Sequence, residues 1–331
     1  MVATSVQRMR ILVLGGTQFL GRHTVDAALA RGHEVTMFNR GQTRPELFPD
    51  VEKLRGDRNG NLDSVRGRDF DAVVDTSGYV PRIVGETIDA LGEFGHYTFV
   101  SSISVYADAS TPPTETSPVA ELKEPTEEWR EAYGELKADC EDVVRSRFPD
   151  AFVPRPGLIV GPWDPTGRFT YWPERFADGG RVLAPAPPDA DAQVIDARDL
   201  AEWIVRASEN GLAGTYNAVD RPVPRATLVE TCQRVAGQDA EVVWVDGAFL
   251  AEHEVGEWME LPLWLIDPGY AGMLSVDPSH AFAAGLEPRP LEETVRDTLA
   301  WVASGDAPTE TAAGLDRAKE QAVLDSWLSK H

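Results

Sequence analysis

The chain has 331 residues, enough for one large or two medium domains around a sizeable core. Its formal net charge is −23, from 54 acidic against 31 basic residues, and such a surface repels phosphate backbones, which argues against nucleic acid as a partner. Two cysteines, Cys140 and Cys232, are too few for a disulfide framework and suggest a reducing, cytoplasmic compartment; no segment reads as a secretory core or a membrane span.

Residues 11–14 (ILVL) form a wholly apolar run, the pattern of a strand buried on both faces of a parallel sheet. Gly15, Gly16 and Gly21 follow at once, with Thr17, Gln18, Phe19 and Leu20 between them. Apolar residues then recur at helical spacing up to a stop at Gly32, and residues 34–38 read as the next strand. A helix that starts at a glycine turn aims its free N–H groups and positive dipole end at one point, and a pyrophosphate fits there. Gln18 stands where the middle glycine of such turns is usual. A glycine-rich turn in an ordinary α/β protein is the competing reading.

The second strand ends in Asn39-Arg40, with Arg44 close by and no acid to bind a ribose 2′-hydroxyl. Guanidinium groups suit a 2′-phosphate, so NADP is expected, with NAD still possible. That Arg40 and Arg44 are merely solvent-facing turn residues is the competing, weaker reading.

Residues 70–75 (FDAVVD) read as a buried strand, followed by a helix near 84–91. Residues 96–100 (HYTFV) are the next strand, ending at Ser101-Ser102. Residues 108–128 look like an exposed excursion, 129–148 like a helix, and 152–160 like a return to the sheet. Residues 162–188 are rich in proline, glycine and aromatics. Strand and helix patterns resume at 194–208, 214–218, 225–237, 242–245 and 291–302. Residues 304–311 read as a polar linker and 315–328 as an amphipathic helix. The alternation predicts an α/β fold, a Rossmann-type doubly wound parallel sheet with a smaller interleaved C-terminal substrate-binding region. The expected division is 1–160 with 194–220 for the dinucleotide, 161–193 and 221–303 for the substrate, and 304–331 for linker and terminal helix.

Tyr133 and Lys137 lie four apart, on one face of a helix. A nearby cation favours phenolate and suits the tyrosine to proton exchange near neutrality. With seven tyrosines and five lysines, chance supplies about one such pair in ten chains of this composition. The six histidines show no metal-ligand spacing, and no metal site is expected.

Taken together, GGTQFLG (15–21), SSISVY (101–106), YGELK (133–137), RPGLIVGP (155–162) and IDARDLA (195–201) resemble the extended short-chain dehydrogenase/reductases. The turn is similar to that of an atypical, epimerase/dehydratase-like subgroup with the pattern Gly-Gly-Thr-x-Phe-x-Gly. Members of that subgroup are described as sugar dehydratase-like, isoflavone reductase-like or messenger-RNA-binding. The resemblance implies a catalytic set of Ser102, Tyr133 and Lys137. Ser102 would hold the substrate oxygen, Tyr133 would pass the proton, and Lys137 would hold the nicotinamide ribose and lower the Tyr133 pKa. Ser101 and Ser104 stay open as alternatives to Ser102. The implied cofactor positions are Gly15, Thr17, Gln18, Phe19, Leu20, Gly21, Asn39, Arg40, Arg44, Asp57 and Arg58, then Thr76, Ser77, Gly78, Pro156, Gly157 and Leu158. Asp57 is similar to an adenine-contacting acid. Tyr79, Trp163, Phe169, Tyr171 and Trp172 would build the substrate wall.

Two departures narrow the chemistry. Ile103-Ser104 stand where dehydratases of this superfamily carry the Asp-Glu of elimination, and Ala192 stands where nucleotide-sugar epimerases hold the diphosphate with arginine. Arg168 or Arg181 are the cations left to substitute for it. The expected protein is an NADP-preferring oxidoreductase acting on a carbonyl or alcohol of a small, partly apolar molecule. The alternatives are a sugar or nucleotide-sugar epimerase, and a cofactor-binding scaffold with vestigial catalysis. A homodimer is left open.

Overall fold

Seven parallel strands form the central sheet of the computed structural model, which describes residues 7–237, 239–308 and 311–330. In chain order these are Arg10–Leu14 (β1), Glu34–Asn39 (β2), Glu52–Arg55 (β3), Phe70–Asp75 (β4), Phe94–Phe99 (β5), Phe152–Pro156 (β6) and an edge strand, Gly214–Ala218. Their spatial order runs from the edge strand through β6, β5, β4, β1 and β2 to β3. Ile11 sits between Val35 and Ala72, so β1 is flanked on both sides by apolar strands.

Strand alternation divides the core. Ile11 and Val13 face one layer, with Val25, Met37, Val74 and Trp203, while Leu12 and Leu14 face the other, with Phe38, Val73, Val84 and Val144. The helices Phe19–Ala30 (α1) and Ala197–Asn210 (α5) cover the first face. Pro81–Ala90 (α2) and Tyr133–Arg147 (α3) cover the second. The connections from β1 and from β4 thus leave on opposite faces, which opens a crevice at the C-terminal ends of those two strands, where doubly wound sheets bind ligands.

A second core holds the later segments. Tyr171–Ala177 (α4) lies beside the parallel strand pair Gly180–Pro185 and Ala240–Val245, and the helices Arg225–Ala236, Leu291–Ala303 and Arg317–Leu328 pack around them. The terminal helix is integral to this core. Val323 and Leu324 are buried in it, and the Arg175 guanidinium donates to the Glu320 carboxylate at 2.8 and 2.9 Å with both side chains buried.

Two expected boundaries move. The helix expected from residue 129 begins only at Tyr133, because Trp129 leaves the helical path to stack on Tyr79. The expected single strand 152–160 divides at Gly157 into β6 and Leu158–Val160, which pairs with Val194–Asp196. Among the described residues, no helix is long and apolar enough to cross a membrane.

Candidate active site

A cavity of about 840 Å³ opens at the switch point between β1 and β4, and one end of it is made of backbone. Gly15 and Gly16 have φ of +115° and +92°, which side chains rarely adopt. A Cβ on Gly15 would lie 2.9 Å from the Thr76 hydroxyl, and one on Gly21 would lie 2.9 Å from the Gly16 nitrogen. Gln18 is the N-cap of α1 with an ordinary extended φ of −134°, so a side chain is tolerated where a glycine is usual. The left-handed residue of the turn is Phe19, at φ +39°. Thr17, Gln18, Phe19 and Leu20 all line the cavity. The Thr76 and Ser77 hydroxyls both donate to the Leu14 carbonyl, at 3.0 and 3.1 Å, tying the ends of β1 and β4 together.

At the end of β2, the Asn39 amide donates to the Gly15 carbonyl at 2.7 Å, while its oxygen accepts from the Gly41 N–H and from the Arg55 guanidinium. Arg40, Gly41, Gln42 and Thr43 line the cavity here, as do Asp57 and Arg58. Arg58 keeps its charge for the fully buried Asp75, which it grips through two bonds of 2.7 Å. Arg44, expected among the cofactor residues, is absent from the lining. Its guanidinium lies 4.5 Å from the Trp163 ring, which Arg22 also covers at 3.5 Å. A basic residue that sequence reasoning missed, Arg55, bonds Asn39 without lining the cavity itself. It sits one strand away, and only the β2–β3 pairing, Asn39 opposite Arg55, brings it in.

The other end carries the candidate chemistry. A Cβ on Gly134 would lie 2.1 Å from the Ser104 carbonyl oxygen, so the first turn of α3 rests directly on the turn after β5. This close approach sets Tyr133 beside Ser102. Ser102 donates to the Ser104 hydroxyl at 3.1 Å and accepts from the Ser104 N–H at 3.1 Å, so the two hydroxyls act as a pair. Ser101 is buried and its N–H donates to the Pro154 carbonyl. Burial holds the Tyr133 phenol above its ordinary pKa, opposed by a hydrogen bond with Ser102 and by the positive charge of Arg168. A positive charge near the phenol thus comes from Arg168, a residue outside the helix that carries Tyr133.

Lys137 is 3 % exposed and donates to the Gly78 and Val100 carbonyls at 2.8 and 2.6 Å. Burial pushes its pKa down to about 8. Two of its three N–H donors are thus spent on backbone, and one is left for the cavity that Lys137 lines. Gly78 contributes this carbonyl without lining the cavity itself, because Phe99 and Val84 pack against it. Pro156, Gly157 and Leu158 complete the floor.

The aromatic wall is not the one expected. Tyr79 lines the cavity, stacked on Trp129 at 4.8 Å and 6.4 Å from the Tyr133 ring. Trp163, Phe169, Tyr171 and Trp172 do not line it. Phe169 and Trp172 are wholly buried in the second core, where the Trp172 indole donates to the Pro262 carbonyl, and Tyr171 packs edge-on against Trp172. Burial of large apolar area favours core packing for these rings. The excursion presents Pro165, Thr166 and Arg168 instead, facing Trp258, Met273 and Leu274 from a distant segment. Ala192 is buried in a two-residue antiparallel pair with Val223, and Arg181 pairs with Glu241 outside the lining. Among the described residues, no cluster of three His, Cys, Asp or Glu side chains could hold a metal ion.

The glycine cradle, which any Cβ would fill, and the continuous lining from Arg40 to Tyr133 fit a nicotinamide dinucleotide. Residues 11–83 match the model of the NAD dependent epimerase/dehydratase family. The chain is 24% identical over 247 residues to chloroplast stem-loop binding protein of 41 kDa b from Arabidopsis thaliana, covering 69% of this chain and 63% of that protein. It is 41% identical over 54 residues, 16% of this chain and 15% of the relative, to a bifunctional pinoresinol-lariciresinol reductase of Linum usitatissimum. The chain therefore spans less than two thirds of the curated relatives it matches. Among solved structures, WbmH of Bordetella bronchiseptica in complex with NAD+ is similar at a TM-score of 0.65 and 18% identity, over 90% of this chain and 99% of that one. A nucleoside-diphosphate-sugar epimerase of Pseudomonas aeruginosa is similar at 0.66 and 18%, with the same coverage. Residues 11–83 thus carry the nucleotide-binding motif of the NAD dependent epimerase/dehydratase family, and the fold as a whole is similar to that of solved epimerase structures.

Proposed function

We propose that the protein is an NAD(P)-dependent oxidoreductase acting on a carbonyl or alcohol of a small molecule, with Ser102, Tyr133 and Lys137 as its catalytic residues. The observation that carries this reading is that all three line the cavity that begins at the glycine turn. The glycine turn, Thr76, Ser77 and Lys137 would hold the cofactor, whose nicotinamide supplies or accepts hydride when bound. Ser102, fixed through Ser104, orients the substrate oxygen. Tyr133 moves the proton at that oxygen, remaining a phenol at neutral pH because burial raises its pKa. Tyr79, Trp129 and Trp258 exclude water from the reacting end.

The absence of an acid at Asn39, with Arg40 and Arg55 beside it, supports NADPH over NADH by roughly 1–3 kcal/mol, the range for hydrogen bonds to charged groups. Titration of both cofactors measures this difference, and Arg40→Ala, at a residue that lines the cavity, is expected to weaken NADPH far more than NADH. Equal affinities in the wild type would exclude the preference.

A second reading, a sugar or nucleotide-sugar epimerase, is favoured by the structural neighbour of that activity. Buried Ala192 weighs against a diphosphate held there. The scaffold reading draws on the name of the stem-loop binding relative, and the net charge of −23 weighs against RNA. The deciding experiment follows absorbance of reduced nicotinamide across ketones, aldehydes and alcohols, with UDP-sugars assayed for epimerised product. Net oxidation or reduction supports the oxidoreductase, epimerisation without net redox supports the second reading, and silence in both assays supports the scaffold.

A further inference from the structure

The cations lining the cavity differ in what neutralises them. Arg58 is held by Asp75, and Lys137 by two carbonyls. Arg168, half-buried at the Tyr133 end, has no carboxylate within ion-pair distance among the described residues. Its nearest acid in charge terms, Asp164, spends its oxygens on the N–H and hydroxyl of Thr166. The Thr166 hydroxyl accepts from the Arg168 Nε at 3.2 Å and from its backbone N–H at 3.3 Å. The stem of the guanidinium is thereby fixed, while both terminal amino groups make no hydrogen bond to a described residue.

We propose that Arg168 binds a carboxylate or phosphate of the substrate, so that the molecule turned over at Tyr133 is an anion. This rests on the reading of the cavity as a dehydrogenase or epimerase site. A partly desolvated guanidinium without a counter-charge is costly, and an oxyanion accepting two parallel N–H bonds offsets that cost. The surroundings suit the task. The guanidinium lies 5.6 Å from the Trp258 ring, and Met273 and Leu274 line the same wall, so the interaction is little screened by water. Arg168 and Tyr133 line the same cavity, and the charge of the one acts on the phenol of the other, so an anion held by Arg168 lies on the side of the proton-transferring group. The molecule is then one whose anionic group lies near its reacting carbon, such as a 2-oxo acid or a phosphorylated ketone.

The test uses protein saturated with NADPH and two matched pairs of probes, phenylpyruvate with phenylacetone, and dihydroxyacetone phosphate with dihydroxyacetone. Binding is read from nicotinamide and tryptophan fluorescence, independently of turnover. At least one anionic probe is expected to bind tenfold or more tightly than its neutral partner. The first pair reports a carboxylate and the second a phosphate. Arg168→Met should erase the preference and Arg168→Lys restore part of it, with NADPH affinity and thermal unfolding midpoint unchanged in both. Equal binding within both pairs in the wild type, or a preference that survives Arg168→Met, overturns the proposal. Anion binding without hydride transfer by any probe keeps Arg168 in this role and defeats the oxidoreductase reading. Turnover of neutral probes with no anionic preference does the reverse.

Discussion

Residues 10–100 and residues 162–188 both carry strong sequence signals, yet the two regions turn those signals into a site by different means. In the first, the cavity is made of backbone. Glycines at positive φ, carbonyls at strand ends and the first turn of α1 sit where the parallel sheet puts them, and few side chains take part. In the second, five aromatics compete for burial, Phe176 among them, and all five are used outside the cavity, which takes Pro165, Thr166 and Arg168 instead. The lesson is physical. Backbone geometry at a glycine turn has one solution, whereas an aromatic ring gains as much from a core as from a ligand wall.

The largest effect that sharpens this contrast is expected at the backbone end. Gly15→Val forces a β-branched residue to φ +115° and its Cβ to 2.9 Å from the Thr76 hydroxyl. Strain of about 3 kcal/mol converts to roughly a hundredfold loss of cofactor affinity. Gln18→Gly, at an extended φ of −134°, should change affinity no more than about threefold. A calorimetric titration of both variants measures the ratio, and similar losses would break the claim that the turn is built by backbone.

Next comes the junction between the two regions. Gly134→Ala places a Cβ 2.1 Å from the Ser104 carbonyl oxygen, and α3 must move away from the turn that carries Ser102. Overpacking of this kind costs about 1–3 kcal/mol of stability. Displacement of Tyr133 from Ser102 should lower kcat by roughly tenfold or more with little change in cofactor affinity. Thermal unfolding and kinetics together read both effects, and an unchanged kcat would show that the contact does not position Tyr133.

The same contrast explains what could be read from the chain before its structure. The strand 70–75 and the edge strand 214–218 were legible to the residue, because apolar runs bounded by turn residues leave little freedom. The pairing of Tyr133 with Lys137 on one face was legible from helical spacing. The positive charge of Arg168 near Tyr133 was not, since it comes from a segment 35 residues later with no periodic signal. Arg55 was hidden for a similar reason, because only sheet register sets it opposite Asn39. Gly134 carried a signal in the form of a glycine in the first turn of a helix, where no φ above zero is needed. Such a glycine marks a close backbone approach, and the approach identifies the neighbour that matters.

The smallest effect is expected where the aromatic-wall reading would place a large one. Trp163 lies between Arg22 and Arg44 and against Trp301 at 5.7 Å, outside the cavity. Trp163→Leu should leave kcat/KM within about twofold and cost about 0.5–1 kcal/mol per lost cation–π contact. Trp129→Leu, which removes the stack on Tyr79, should raise KM severalfold. A kinetic comparison in which Trp163→Leu does more harm than Trp129→Leu would reverse the assignment of the wall.

The central claim is that the far end of the cavity performs proton transfer through Tyr133 while the backbone end holds the cofactor, and Tyr133→Phe separates the two. With whichever carbonyl or alcohol supports turnover, this variant should lose roughly 10²–10⁴-fold in kcat while cofactor affinity stays within about twofold. Turnover retained at the wild-type rate, or cofactor affinity lost in step with kcat, would contradict the account.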